Sequence, residues 1–88
     1  MAEVLRPTSN VEVISTAASN VGGGEYLYIS NPSASQEANV TLYNGNSAFG
    51  VQGIIGLPPS QHTIINKSED DEISADSPIH ATAVKVWN

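Results

Sequence analysis

The side chains that could act as acids, bases or nucleophiles are few and are not spaced for catalysis. His62 and His80 are the two histidines, and no carboxylate stands at a fixed spacing from either. The serines fall at turn positions, where their hydroxyls bond locally, and no G-x-S-x-G motif is present. We therefore predict no catalytic residues and a protein that is not an enzyme. An enzyme would need His62 or His80 beside a carboxylate in a cleft.

Two short segments could bind an ion, but each has a simpler structural interpretation. The consecutive acids Glu69–Glu72 offer oxygen ligands for calcium, whereas calcium loops alternate their ligands with turn residues. We therefore predict a solvated acidic hairpin tip and no metal site. The run Gly22–Gly24 could cradle a phosphate only if a helix followed, and Glu25 instead leads into a predicted strand. A flexible turn is favoured, and no cofactor-binding residues and no cofactor are expected.

Aromatic and aliphatic side chains are the better candidates for a functional surface. Aromatic residues on strands can stack on sugar rings, but tyrosine and tryptophan also suit cross-strand packing or a subunit interface because they combine a large apolar area with a polar handle. We favour cross-strand packing or a subunit interface over sugar binding. Near the N-terminus, an apolar pair before a proline can extend as an arm onto a neighbour's sheet or pair with its own sheet, and both remain open. The candidate interface residues are Val4, Leu5, Tyr26, Tyr28, Tyr43 and Trp87.

Composition and charge exclude several classes of partner. Three basic residues against nine acidic ones give a net charge of −6, which repels nucleic acid, so no nucleic-acid partner is expected. There is no cysteine, and hence no disulfide framework or thiolate site. The N-terminal residues resemble neither a secretory signal nor a membrane span, so we expect synthesis in the cytoplasm and no membrane partner.

The elements that position these residues are predicted to be strands. Short runs rich in β-branched residues, several of them alternating, are separated by Gly, Pro, Asn, Asp and Ser, and helical periodicity is close to missing. We predict an all-β fold, an antiparallel jelly-roll-like β-sandwich in a single domain over residues 1–88, with residues 1–10 able to form an N-terminal arm. The Asn44-Gly45 pair predicts a tight hairpin turn. The strands are placed at about 3–6, 11–17, 25–31, 37–44, 47–55, 61–67, 71–75 and 79–87.

A block covering roughly residues 25–87 resembles a known class of proteins. It contains Tyr28-Ile29-Ser30-Asn31-Pro32, Ala38-Asn39-Val40-Thr41-Leu42-Tyr43-Asn44-Gly45, Ile64-Ile65-Asn66, Asp71-Glu72-Ile73 and Ala81-Thr82-Ala83-Val84-Lys85-Val86. This is similar to the small β-sandwich virion proteins of tailed bacteriophages. At Leu57-Pro58-Pro59 a double proline replaces the plain strand entry of that pattern.

The resemblance implies a virion component that acts through its surfaces, so no site residues are carried over from the family. We expect a capsid decoration (cement) protein bound to the outer head surface as a symmetric homo-oligomer, with a trimer favoured. Its partners would be the major capsid protein or other virion proteins, and its location the virion. The alternative is a tail-associated or receptor- or glycan-binding β-sandwich module.

Overall fold

The chain folds into two antiparallel sheets packed face to face, in a computed structural model that describes residues 4–45 and 50–87. For Val4, Val86 and Trp87 only the backbone is described. No helix occurs in the described part. The strands are β1 (Val4–Pro7), β2 (Glu12–Ile14), β3 (Tyr26–Ser30), β4 (Ala38–Tyr43), β5 (Val51–Leu57), β6 (His62–Asn66), β7 (Glu72–Ala75) and β8 (Ile79–Trp87).

The larger sheet is organised around the long last strand, β8. Its order is β1-β8-β3-β6, and β2 also pairs with β8. Strands β1 and β2 lie end to end along one edge of β8, because Pro7 is in register with Val84 and Ile14 with Ile79. The smaller sheet has the order β5-β4-β7. Beyond β7 the chain after β2 continues this sheet with a single bridge between Ser19 and Ile73.

The core lies between the sheets, where alternate residues of most strands are apolar and turn inward. On β3, for example, Leu27 and Ile29 are fully buried. The inner face of β8 carries two alanines beside an isoleucine, and these small side chains leave room for the larger ones opposite. The core residues on strands are Ile14, Leu27, Ile29, Ala38, Val40, Leu57, Ile65, Ile73, Ala75, Ile79, Ala81 and Ala83.

The predicted all-β sandwich of about eight strands is confirmed, and each predicted strand overlaps an observed one. The N-terminal segment does not extend as a free arm, so that interpretation is wrong for residues 4–7. Val4 and Leu5 are in register with Trp87 and Val86 of the same chain. The alternative, pairing with its own sheet, is confirmed.

The tight turn predicted at Asn44-Gly45 is wrong, although the two flanking strands do pair antiparallel. The Asn44 N–H donates to the Gly50 carbonyl at 3.1 Å, so the loop extends to Gly50. Gly45 has a φ of 68°, but its N–H donates to the Asp71 carboxylate at 2.8 Å. A contact with a distant loop therefore sets the conformation here, and the local turn preference does not.

The turn predicted at Gly22–Gly24 is present, and packing fixes it. The Gly23 and Gly24 N–H groups donate to the carbonyls of Asn20 and Val21. A Cβ added to Gly24 would lie 2.5 Å from the Ala83 Cβ, so any larger residue would collide with β8. The glycines thus permit close approach of two backbones.

Candidate functional site

Two of the predicted interface residues lie together on the outer face of the larger sheet, which also exposes apolar side chains. Because Leu27 and Ile29 point inward, Tyr26 and Tyr28 point outward from β3. The register places exposed residues of β6, β8 and β2 beside them. We call this surface the tyrosine face and define it by Val13, Tyr26, Tyr28, Ser30, His62, Ile64 and His80.

A stacked ring pair stabilises the middle of the tyrosine face. The centroids of the Tyr28 and His62 rings are 5.3 Å apart, with 23° between their planes. The two residues are diagonal neighbours across β3 and β6, since His62 is in register with Ser30. The stack packs the Tyr28 ring against the neighbouring strand β6. Tyr28 is therefore half-buried, whereas Tyr26 beside it is exposed.

The two histidines lie in one row of the tyrosine face. Ser30 is in register with His62 on one side and His80 on the other, so the histidines are separated by one strand, or about 10 Å. Sequence spacing gave no sign of this arrangement, because it depends on β3 inserting between β6 and β8. None of the strand positions on this face carries a carboxylate, so a histidine here has no acidic partner to orient it as a base.

Tyr43 lies on the other side of the molecule, so the predicted interface aromatics do not form one patch. It is in register with Glu72 on β7 and points outward from the smaller sheet. Its Oη shares a hydrogen bond of 2.9 Å with Ser74 Oγ. Val4 and Leu5 lie on β1, and Trp87 is the last residue of β8. Of the described candidate side chains, the structure brings together Tyr26 and Tyr28.

Near Tyr43 the smaller sheet has an open depression of about 640 Å³, lined in part by Thr41, Ser74 and Asp76. Its most polar residues, Asn39 and Asp76, are hydrogen-bonded to each other. The Asn39 N–H donates to Asp76 Oδ1 at 2.7 Å, and Asn39 Nδ2 donates to Oδ2 at 2.9 Å. These bonds lower the pKa of Asp76 below its ordinary value. The depression thus holds a satisfied network that joins β4 to the end of β7.

The acidic segment 69–72 is only partly the solvated tip that we predicted. Glu69 and Asp70 are exposed, but Asp71 accepts hydrogen bonds from the N–H groups of Gly45 and Ser68. The Asp71 carboxylate therefore connects the loop after β4 to the loop between β6 and β7. In the described residues, no group of three or more His, Cys, Asp or Glu side chains is arranged to hold a metal ion.

Lys67 is buried beside this segment, which the sequence did not indicate. Its Nζ donates to the carbonyls of Ser68 and Glu69 at 3.1 and 3.4 Å. Burial lowers its pKa, and the neighbouring carboxylates, Asp71 first, oppose that shift. Through these two hydrogen bonds Lys67 stabilises the conformation of the loop between β6 and β7.

Strand β5 forms a second exposed apolar surface, which was not predicted from the sequence. Val51, Ile54 and Ile55 on this strand are exposed, and the strand carries no charged residue. The available signal was the uncharged run Gly53-Ile54-Ile55-Gly56. Its exposure could not be predicted because it depends on β5 ending at the edge of a sheet.

Comparisons with protein families, with curated proteins and with solved structures found no match. Over the described residues, no helix is long and apolar enough to cross a membrane. Functional inference therefore rests on the surfaces of this chain.

Proposed function

We propose that this chain is a structural virion protein of a tailed bacteriophage, a capsid decoration or cement protein that binds the outer head surface as a symmetric oligomer. On this proposal it acts through its surfaces, catalyses no reaction and needs no cofactor. Its partners are the major capsid protein or other virion proteins.

The tyrosine face is the observation that carries the proposal. In a chain of net charge −6, its strand positions carry apolar, aromatic, histidine and small polar side chains and no carboxylate. Val13 is 67% exposed and Ile64 39%. An exposed apolar surface with few charges is typical of the centre of a protein interface. Because its strand positions carry no carboxylate, this surface adds no repulsion of its own toward an acidic partner.

The strand order supports a jelly roll, an architecture that occurs in viral capsid domains. Numbered in chain order, the eight strands of a jelly roll form sheets in the orders 1-8-3-6 and 2-7-4-5. In this chain β2 itself pairs with β8. The first order is present in full, and β7-β4-β5 is present in the second sheet. The chain after β2 lies beside β7 through the Ser19–Ile73 bridge and a hydrogen bond from the Ala75 N–H to the Ser15 carbonyl. Fold alone does not give function, so the strand order is only secondary support for the proposal, and the main argument remains the composition of the tyrosine face.

A cryo-EM map of virions made from the genome that encodes this chain tests the proposal. We expect the chain on the outer head surface, with the tyrosine face against the capsid protein. Density in the tail would support the tail-associated alternative, and absence of the chain from the particle would refute both.

A binding assay tests the surface itself. Ile64→Glu places a charge on the tyrosine face, and we expect it to abolish binding to particles that lack the protein. Thr16→Glu adds the same charge at an exposed position of the other sheet's depression, and it should bind as the unaltered protein does. Equal binding by both variants would contradict a role for the tyrosine face.

Glycan binding is the second candidate, because Tyr26 and Tyr28 lie beside polar groups on one face, as a sugar-stacking site requires. Screening the protein on a glycan array distinguishes the two. Binding that is lost in Tyr26→Ala, while particle binding is unchanged, would favour the glycan module over the decoration protein.

A further inference from the structure

Strand β5 is an edge strand without the usual protection against pairing. Among residues 4–45 and 50–87, only β4 pairs with it. Natural edge strands are commonly blunted by lysine, proline, inward-pointing charges or bulges. Strand β5 has no charge and no proline, and its single irregularity is the register shift opposite Leu42 and Tyr43. The part from Gly53 to Leu57 therefore presents regular, unpaired backbone groups.

The inner face of β5 is not covered by the residues that the structure describes. Ile55 is in register with Val40 and so points toward the core, yet it is 38% exposed whereas Val40 is 1% exposed. Gly53 is in register with Leu42 and faces the same side. An added Cβ at Gly53 would meet no atom within 4 Å. One strand thus carries an uncovered apolar side chain and, two residues away, an open space.

We propose that β5 pairs antiparallel with β5 of a second copy of this chain, about a two-fold axis at Ile54. Residues opposite each other in an antiparallel pair share a face. With the axis at Ile54, Ile55 of each copy lies beside Gly53 of the other, and its side chain enters the open space there. The two Ile54 side chains meet each other on the outer face. The smaller sheets of the two copies join into one.

A second copy is the occupant that the residues of β5 fit best. The segment Gly53-Ile54-Ile55-Gly56 sets large residues next to small ones, so it complements itself in the antiparallel direction. Two chains of net charge −6 repel each other, and β5 lets them meet where no like charges oppose. A two-fold pair uses the same patch on both copies, which is the commonest closed symmetry. A two-fold pair differs from the trimer expected from the resemblance, and this proposal does not depend on the proposed virion role.

Sedimentation velocity of the full chain over a range of concentrations tests the pairing. We expect a concentration-dependent dimer. Ile54→Lys and Ile54→Glu should each weaken dimerisation by about tenfold or more, because two like charges then face each other across the axis. Ile54 is 65% exposed on the outer face, so the fold should tolerate both changes. Val11→Lys is the matched control, since Val11 is 62% exposed just before β2 and lies outside the tyrosine face, and it should dimerise normally.

Mixing the two charged variants identifies the contact. An equimolar mixture of Ile54→Lys and Ile54→Glu should recover the dimer, because opposite charges then meet at the axis. Gly53→Leu should weaken the dimer without changing charge, since it fills the space that Ile55 of the second copy needs. A monomer at every concentration, a trimer, an equal effect of Val11→Lys or no recovery on mixing would overturn the proposal.

Discussion

At the scale of single residues, one buried amide contributes more to the fold than the sequence indicates. Asn31 is 2% exposed and follows β3. Its Nδ2 donates to the carbonyls of Gln36 at 2.7 Å and Leu57 at 3.0 Å, and its Oδ1 accepts the Ser33 N–H at 3.0 Å. Asn31 therefore joins the end of a strand in one sheet to the end of a strand in the other. From the sequence alone, Asn31 is predicted only to be one residue of a turn.

Asn31→Ala should destabilise the protein by about 2–4 kcal/mol, because it leaves two carbonyls and one N–H without their partner in a buried setting. Urea unfolding measures the loss. Asn20→Ala is the control, since Asn20 is exposed in a loop, and it should change stability by less than about 0.5 kcal/mol. Similar losses in both variants would contradict the structural role of the Asn31 side chain.

At the scale of elements, the contact between Asp76 and Asn39 makes the link between β4 and β7 sensitive to acid. Hydrogen bonds from Asn39 lower the pKa of Asp76 in the folded state. A group with a depressed folded pKa stabilises the fold above its unfolded pKa and loses that contribution as the pH falls through the folded value. The stabilisation should therefore be present at pH 7 and disappear from about pH 4 downward.

Thermal unfolding of Asp76→Asn across this pH range tests the link. We expect a lower melting temperature than that of the unaltered protein at pH 7, with the difference shrinking as the pH falls below about 4. Glu37→Gln, which removes one exposed carboxylate just before β4, is matched in charge and leaves the Asn39 bonds in place. A pH-independent difference for Asp76→Asn would show that its ionisation contributes nothing.

The strands could be predicted from the sequence because the signals that define them are local. On β3, the alternation of Tyr26, Leu27, Tyr28 and Ile29 gives both the strand and its buried side. The longer loop that follows β4 in place of a tight Asn44-Gly45 turn could not be predicted, because the Gly45 N–H bonds to Asp71, which is distant in sequence. The burial of Lys67 was missed for the same reason. Local patterns specify elements, whereas contacts between loops depend on how the elements pack.

At the scale of the whole molecule, surfaces depend on which strands become neighbours. The grouping of Tyr26 and Tyr28 was evident from a period of two residues, but the row of His62, Ser30 and His80 requires the strand order β8-β3-β6. The separation of Tyr43 from the other tyrosines requires knowing that β3 and β4 belong to different sheets. A sequence can therefore indicate which face of a strand is outward without indicating which outward faces combine.

The N-terminal segment belongs to the sandwich, and its removal should show this. Strand β1 covers the edge of β8, the Thr8 N–H donates to the Ala83 carbonyl at 2.8 Å, and the Ala83 N–H donates to Ser9 Oγ at 3.1 Å. A variant that lacks residues 1–10 loses these bonds and exposes the edge of the longest strand. We expect a loss of about 2 kcal/mol or more, which lowers the melting temperature by roughly 8–16 °C in a domain of this size.

Ser9→Ala separates the two contributions to this loss, since it removes one side-chain acceptor and leaves the β1 pairing in place. It should cost about 1–2 kcal/mol, less than the deletion. Differential scanning calorimetry of both variants shows which of the two changes lowers the melting temperature more. If the shortened chain melts at the same temperature as the full chain, the pairing of residues 4–7 with β8 does not stabilise the sandwich. If Ser9→Ala costs as much as the deletion, the single bond to Ala83 accounts for the effect and the β1–β8 pairing adds nothing.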